Sequence, residues 1–96
     1  MFIVQQTDLF IEWFGALKDR TARLRIAARI RIVEQGSLGD WKSVGDGVSE
    51  LRVDYGPGYR LYFTRRGERV VVLLAGGGKR TQAADIKAAK AMAALL

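Results

Sequence analysis

The sequence predicts an α+β fold: an N-terminal strand and a two-helix hairpin packed on a small, mainly antiparallel β-sheet, followed by a short C-terminal helix. Three observations predict it. Residues 8–35 carry apolar side chains at helical spacing, with a capping residue ahead of each stretch; residues 48–75 alternate with a period of two between glycine-marked turns; and the chain ends in an alanine-rich segment of high helix propensity. The 96 residues form a single domain, residues 1–96. A chain of this size buries about 60–70% of its unfolded surface, so its core is modest.

The elements follow in order. Phe2–Gln5 is a short β-prone start, and Thr7 is placed to cap a helix through DLFIEWFGAL, whose Leu9, Phe10, Trp13, Phe14 and Leu17 give one broad apolar face. Asp19 can cap a second helix through RTARLRIAARIRIVEQ, which Gly36 ends in a left-handed conformation. On that helix Ile26, Ile30 and Val33 share one side and Leu24, Ala28 and Ile32 another, with arginines between, a pattern that predicts packing against two neighbours. Residues 37–47 are rich in Gly, Asp and Ser and read as an irregular loop in which Trp41 anchors the backbone to the core. Three strands follow, at 48–54, 59–65 and 69–75, with turns at Gly56-Pro57-Gly58 and Gly67. Alternation sends Leu51, Val53, Leu61 and Phe63 toward the helices and Glu50, Arg52, Asp54, Arg60, Tyr62 and Thr64 to the other face. The run VVVLLA is apolar on both faces and belongs in the centre of the sheet. Thr81 is placed to cap a last helix over 82–95, whose alanines carry little packing information.

Composition narrows the chemistry. There is no cysteine and no histidine, which excludes disulfides, thiol nucleophiles, Ser-His-Asp triads and nitrogen–sulfur zinc sites. No metal site and no cofactor is expected. The formal charge of +6 favours anionic partners. No apolar run approaches the roughly 20 residues of a membrane span, and MFIVQQTDLF lacks a basic n-region, so the sequence reads as that of a soluble, cytoplasmic protein without a membrane partner. The GGGK at 76–79 lacks the spacing of a P-loop.

The segments LRVDYGPGYRLYF and GGGKRTQAADI, with the arginine-rich helix before them and the apolar last strand between, resemble the RelE/ParE superfamily of toxins from type II toxin–antitoxin pairs, in its HigB-like addiction-module-killer branch. The resemblance runs the whole length of the chain. It implies the RelE-like arrangement of these elements, a cognate antitoxin as partner, and action on mRNA in the ribosomal decoding site; ParE-type members instead poison DNA gyrase. Carried over residue by residue, it assigns Arg60 in GYR to the scissile phosphate. It sets Arg52 near the position of a strand lysine of the catalytic site, and Lys79 and Arg80 at the GKR that follows the last strand. The chain departs from the RelE pattern at Ile86, which stands where that group has a C-terminal tyrosine, and from histidine-using HigB toxins by having no histidine.

Cleavage of RNA by its own 2′-hydroxyl requires a base for that proton, positive charge on the phosphorane and an acid for the leaving 5′-oxygen. Arg52, Arg60 and Arg80 supply charge but cannot act as base. Lys79 is the favoured base, with Glu50, Asp54 and Asp85 as carboxylate alternatives. Tyr62, Arg65, Gln82 and Arg29 are candidate RNA contacts. The same residues also admit plainer roles: Arg52 and Arg60 can pair with Glu50 and Asp54 on a solvated sheet face, and Thr81 and Asp85 can simply start a helix. Three functions therefore stay open: a metal-independent, ribosome-dependent mRNA endoribonuclease that arrests growth by blocking translation; a gyrase poison; and a non-catalytic RNA-binding or interaction module.

Overall fold

A computed structural model describes residues 1–96 and has the predicted α+β class. The order is β1 (Ile3–Gln6), α1 (Asp8–Ala16), α2 (Arg20–Glu34), β2 (Trp41–Gly45), β3 (Val48–Val53), β4 (Tyr59–Arg66), β5 (Val70–Gly77), a 3-10 turn η1 (Lys79–Thr81) and α3 (Gln82–Ala94). The five strands form one sheet in the order β1-β5-β4-β3-β2, antiparallel except where β1 runs parallel to β5. No helix is long and apolar enough to cross a membrane.

Local chemistry explains the helix starts. The Thr7 hydroxyl accepts the Phe10 N–H and donates to the Leu74 carbonyl, so a single side chain caps α1 and ties it to the central strand. Asp19 accepts the Ala22 N–H at the head of α2 and the Tyr55 hydroxyl at 3.2 Å, joining that helix to the β3–β4 turn. Gly36 ends α2 with φ of 107°, as the sequence predicts. Thr81 is different: its side chain caps nothing, because its hydroxyl donates instead to Asp85 at 2.6 Å.

The sheet separates two cores. On one face Phe10, Ala22, Ile26 and Val33 of the helix hairpin meet Leu51, Val53, Tyr59, Leu61, Phe63, Val71 and Leu73. On the other, α3 lays Ala89 over Val48, Tyr62, Val72, Leu74 and Ala75. β5 is buried on both sides and lies between β1 and β4, the central position expected of VVVLLA. At Gly76 a Cβ would overlap the Trp13 ring on the first face, and at Gly77 the Asp85 carboxylate on the second. Those two glycines are close-approach positions at the end of a strand, before the chain turns.

Three expectations are corrected. Residues 41–45 are an edge strand paired with β3, because Trp41 has Leu51 as its cross-strand partner and lies edge-on to Phe63 at 6.5 Å. The second apolar side of α2 packs against no core element and faces solvent: Leu24 and Ile32 are exposed. The sheet face carrying Glu50 and Tyr62 is not solvated, since both residues are buried and α3 packs over Tyr62. Small alanine side chains let α3 sit close to the strands, a packing role that propensity does not reveal.

Candidate functional site

Alternation puts Glu50, Arg52, Arg60 and Tyr62 on one sheet face, and the β3–β4 register makes Arg52 and Arg60 direct cross-strand partners, with Glu50 opposite Tyr62. Two guanidinium groups side by side repel. Glu50 resolves the conflict: its Oε2 lies 3.0 Å from Arg52 Nε, which donates a hydrogen bond to it, and 2.8 Å from Arg60 Nε, an ion contact out of hydrogen-bond alignment. The Glu50 hydrogen bond, and then its charge, hold the Arg52 guanidinium above the usual arginine range. Arg60 also donates from Nη1 to the Gly58 carbonyl at 2.8 Å, which fixes its head group beneath the turn.

The third cation arrives from elsewhere in the chain. Lys79 donates its backbone N–H to the Pro57 carbonyl at 3.3 Å, so η1 is fastened to the β3–β4 turn. An open cleft of about 300 Å³ results, lined by Asp40, Arg52, Val53, Asp54, Gly58, Arg60 and Lys79. It is shallow and polar, suited to a backbone phosphate rather than to an enclosed small molecule.

Of the candidate residues, Arg52, Arg60 and Lys79 are thus brought together. Arg80 follows Lys79 on η1, exposed and outside the cleft, and Gln82 is half-buried at the start of α3. Arg65 lies on the helix-side face toward the far end of β4, where it donates to the Glu68 carbonyl and its guanidinium sits 4.9 Å from the Phe2 ring centre. Arg29 donates to the carbonyls of Leu38, Asp40 and Arg52; it holds the 38–40 segment against β3. Burial lowers its pKa, and Asp40 opposes that shift.

Tyr62 departs furthest from the sequence reading. Expected as an outward RNA contact, it is fully buried, and its hydroxyl has no hydrogen-bond partner. Burial pushes the phenol pKa up to about 12, helped by the charges of Glu50 and Asp85 and opposed by Arg60. The expected pairing of the arginines with Glu50 does occur, but around a carboxylate that is 2% exposed rather than on a solvated face. Asp40 and Asp54 are the cleft carboxylates; Asp85 is held by Thr81 and does not line it. Asp40 escaped the sequence reading because it precedes a strand taken for loop. The E-L-R spacing of Glu50 and Arg52 is the signal that links the anchor to the site. No group of three or more carboxylates is placed to hold a metal ion.

An arginine pair braced by a buried carboxylate, with a lysine delivered by a glycine-rich turn, defines a small α+β protein with a cationic cleft at one end of its sheet. The model of the family described as "Phage derived protein Gp49-like (DUF891)" matches residues 12–94, and the chain belongs to that family. A protein of Haemophilus influenzae (strain ATCC 51907 / DSM 11121 / KW20 / Rd), described as "Uncharacterized protein", is 46% identical over 90 residues, covering 94% of this chain and 91% of that one. No solved structure matches the chain.

Proposed function

We propose that this protein is the toxin of a type II toxin–antitoxin pair, of the RelE/ParE kind, and that it cleaves mRNA on the ribosome. The observation that carries the reading is the convergence of Arg52, Arg60 and Lys79, from three separate segments, on one open cleft with Asp54 at its wall. Membership of a phage-derived family fits a toxin.

In this reading the scissile phosphate lies against Arg52 and Arg60, whose positions are fixed by Glu50 and the Gly58 carbonyl, so the cationic site exists before substrate arrives. Attack of the 2′-oxygen on phosphorus breaks the bond to the 5′-oxygen, which leaves with a proton taken from water in the open cleft, and the products are a 2′,3′-cyclic phosphate and a 5′-hydroxyl. Lys79 is the favoured group to take the 2′-hydroxyl proton, and Asp54, among the cleft carboxylates, is the alternative. The pairing of an arginine clamp with either base requires no metal. Arg80 and Gln82, one and three residues after Lys79, extend the contact along the strand of RNA. Tyr62 and Arg65 have no part in it, the first being buried and the second on the opposite face.

The test maps the ends of one defined mRNA in a reconstituted translation reaction, with and without ribosomes, for wild type, Arg60→Ala, Lys79→Ala and Asp54→Asn. Ribosome-dependent cuts that vanish in Arg60→Ala, with folding checked by circular dichroism, support the reading, and whichever of the other two variants is inactive names the base. Intact mRNA with DNA breaks in cells would replace it with a gyrase poison; salt-dependent RNA affinity without cleavage would leave a binding module.

A further inference from the structure

We propose that the outer face of α2 is a docking surface for an acidic, amphipathic helix of a protein partner. It rests on the toxin reading only in giving the partner that reading calls for a place to bind, and none of its residues lines the cationic cleft.

The surface is built by sequence spacing. Leu24, Ala28 and Ile32 recur every fourth residue and so form one row along the helix. The row lies opposite Ala22, Ile26 and Val33, which are buried against the sheet. Ala28 is exposed, and Leu24 and Ile32 are 65% and 44% exposed, so the row faces solvent. On the helical projection Arg20 and Arg31 border it on one side and Arg25 on the other. Three ion pairs occur in the whole chain, Arg52–Glu50, Arg60–Glu50 and Lys90–Asp46, and none involves α2. Arg23 and Arg25 instead lie over the rings of Phe14 and Tyr55, each 5.4 Å from the ring centre. At the N-terminal end of the row, Lys18, Arg20, Arg23 and Leu24 line a cleft of about 400 Å³.

Unpaired cations beside an exposed apolar row specify the complement: apolar residues at helical spacing, with carboxylates on either side. Leu24 to Ile32 spans about 12 Å, just over two turns, which a partner helix can cover with three apolar residues at i, i+4 and i+7. RNA would satisfy the arginines, yet the row offers no aromatic ring for a base to stack on and would leave Leu24 and Ile32 in water. A second copy of this chain would set the same arginines against each other.

The experiment uses the full-length protein and two synthetic helical peptides of identical Leu/Glu-rich composition. One aligns its leucines at i, i+4 and i+7; the other scatters them round the helix. Binding is followed by fluorescence anisotropy, with an oligouridylate as competitor. The aligned peptide is expected to bind about tenfold more tightly than the scattered one, and the double variant Leu24→Ser, Ile32→Ser to lose at least about that factor. That variant keeps the wild-type melting temperature and mRNA cleavage, whereas Arg60→Ala keeps peptide binding. Equal affinity for both peptides, unchanged affinity in the double variant, no peptide binding, or displacement by oligouridylate would overturn the proposal, the last assigning the face to RNA. Loss of mRNA cleavage alone leaves it standing.

Discussion

Replacing Glu50 by Gln keeps the shape of the side chain and removes the one anion between two cross-strand arginines. Its Oε2 is within 3.0 Å of both Arg52 Nε and Arg60 Nε. Removing one partner of a fully buried pair costs about 3–5 kcal/mol, whereas a surface pair contributes only about 0–1 kcal/mol. The two contacts differ in this respect: the Arg60 side chain is 16% exposed and the Arg52 side chain 39%. Arg60 therefore dominates, Arg52 is largely screened by water, and the expected loss is about 2–4 kcal/mol, below the buried limit because both head groups border an open cleft. Urea unfolding of wild type, Glu50→Gln, Arg60→Met and the double variant measures it. The cycle should give a coupling of about 1–3 kcal/mol between Glu50 and Arg60. A Glu50→Gln loss below about 0.5 kcal/mol, with no coupling, would show that the carboxylate does not brace the arginines and would refute the preorganised site.

Tyr62→Phe removes a buried hydroxyl that has no partner, so it should leave stability unchanged or raise it by about 1 kcal/mol, read as the melting temperature; a marked drop would reveal a hydrogen bond to that hydroxyl. Because the Tyr62 pKa rises from 10.0 to about 12 in the folded state, its contribution is fully present below pH 10.0 and is lost as pH rises through about 12. The unfolded chain releases this proton first, so stability falls by about 2–3 kcal/mol across that window, and Tyr62→Phe should flatten the fall; identical alkaline profiles would contradict the shift. Gly77→Ala sets a Cβ against the Asp85 carboxylate, so that side chain must swing away from Thr81 or α3 must move outward, at a cost of about 1–3 kcal/mol in urea unfolding; a neutral result would show that the carboxylate moves aside freely. Thr7→Ala removes the α1 cap and the bond to the Leu74 carbonyl, a loss of about 1–2 kcal/mol by the same measurement, whereas Thr81→Ala, which caps nothing, should not weaken α3 through a lost cap.

Residues of the site were legible in the sequence to different depths. Alternation alone put Arg52 and Arg60 on one face, and the shared period of β3 and β4 carried Glu50 with them. That Lys79 joins them depends on one backbone hydrogen bond, Lys79 N–H to the Pro57 carbonyl, between segments more than 20 residues apart. Tyr62 shows the converse limit. Period two says which face a residue takes, never what covers that face, and the covering helix has an alanine-rich sequence that would read the same in solvent. Arg29 has the composition of an RNA contact and the geometry of a strut, because its three carbonyl acceptors come from β3 and the loop before β2.

By itself the sequence determined what local rules govern: the α+β class, the caps Thr7 and Asp19, the glycine turns, the central place of β5 and the excess positive charge. These follow from hydrogen bonds within one turn, from backbone angles, and from hydrophobicity repeated at a fixed period. Tertiary structure decided the rest. It paired residues 41–45 as an edge strand, seated α3 over Tyr62, buried Glu50 between two arginines and left Leu24 and Ile32 facing solvent. Each of these depends on which surfaces meet across long sequence separation, where the free energy lies in packing and desolvation rather than in any local preference.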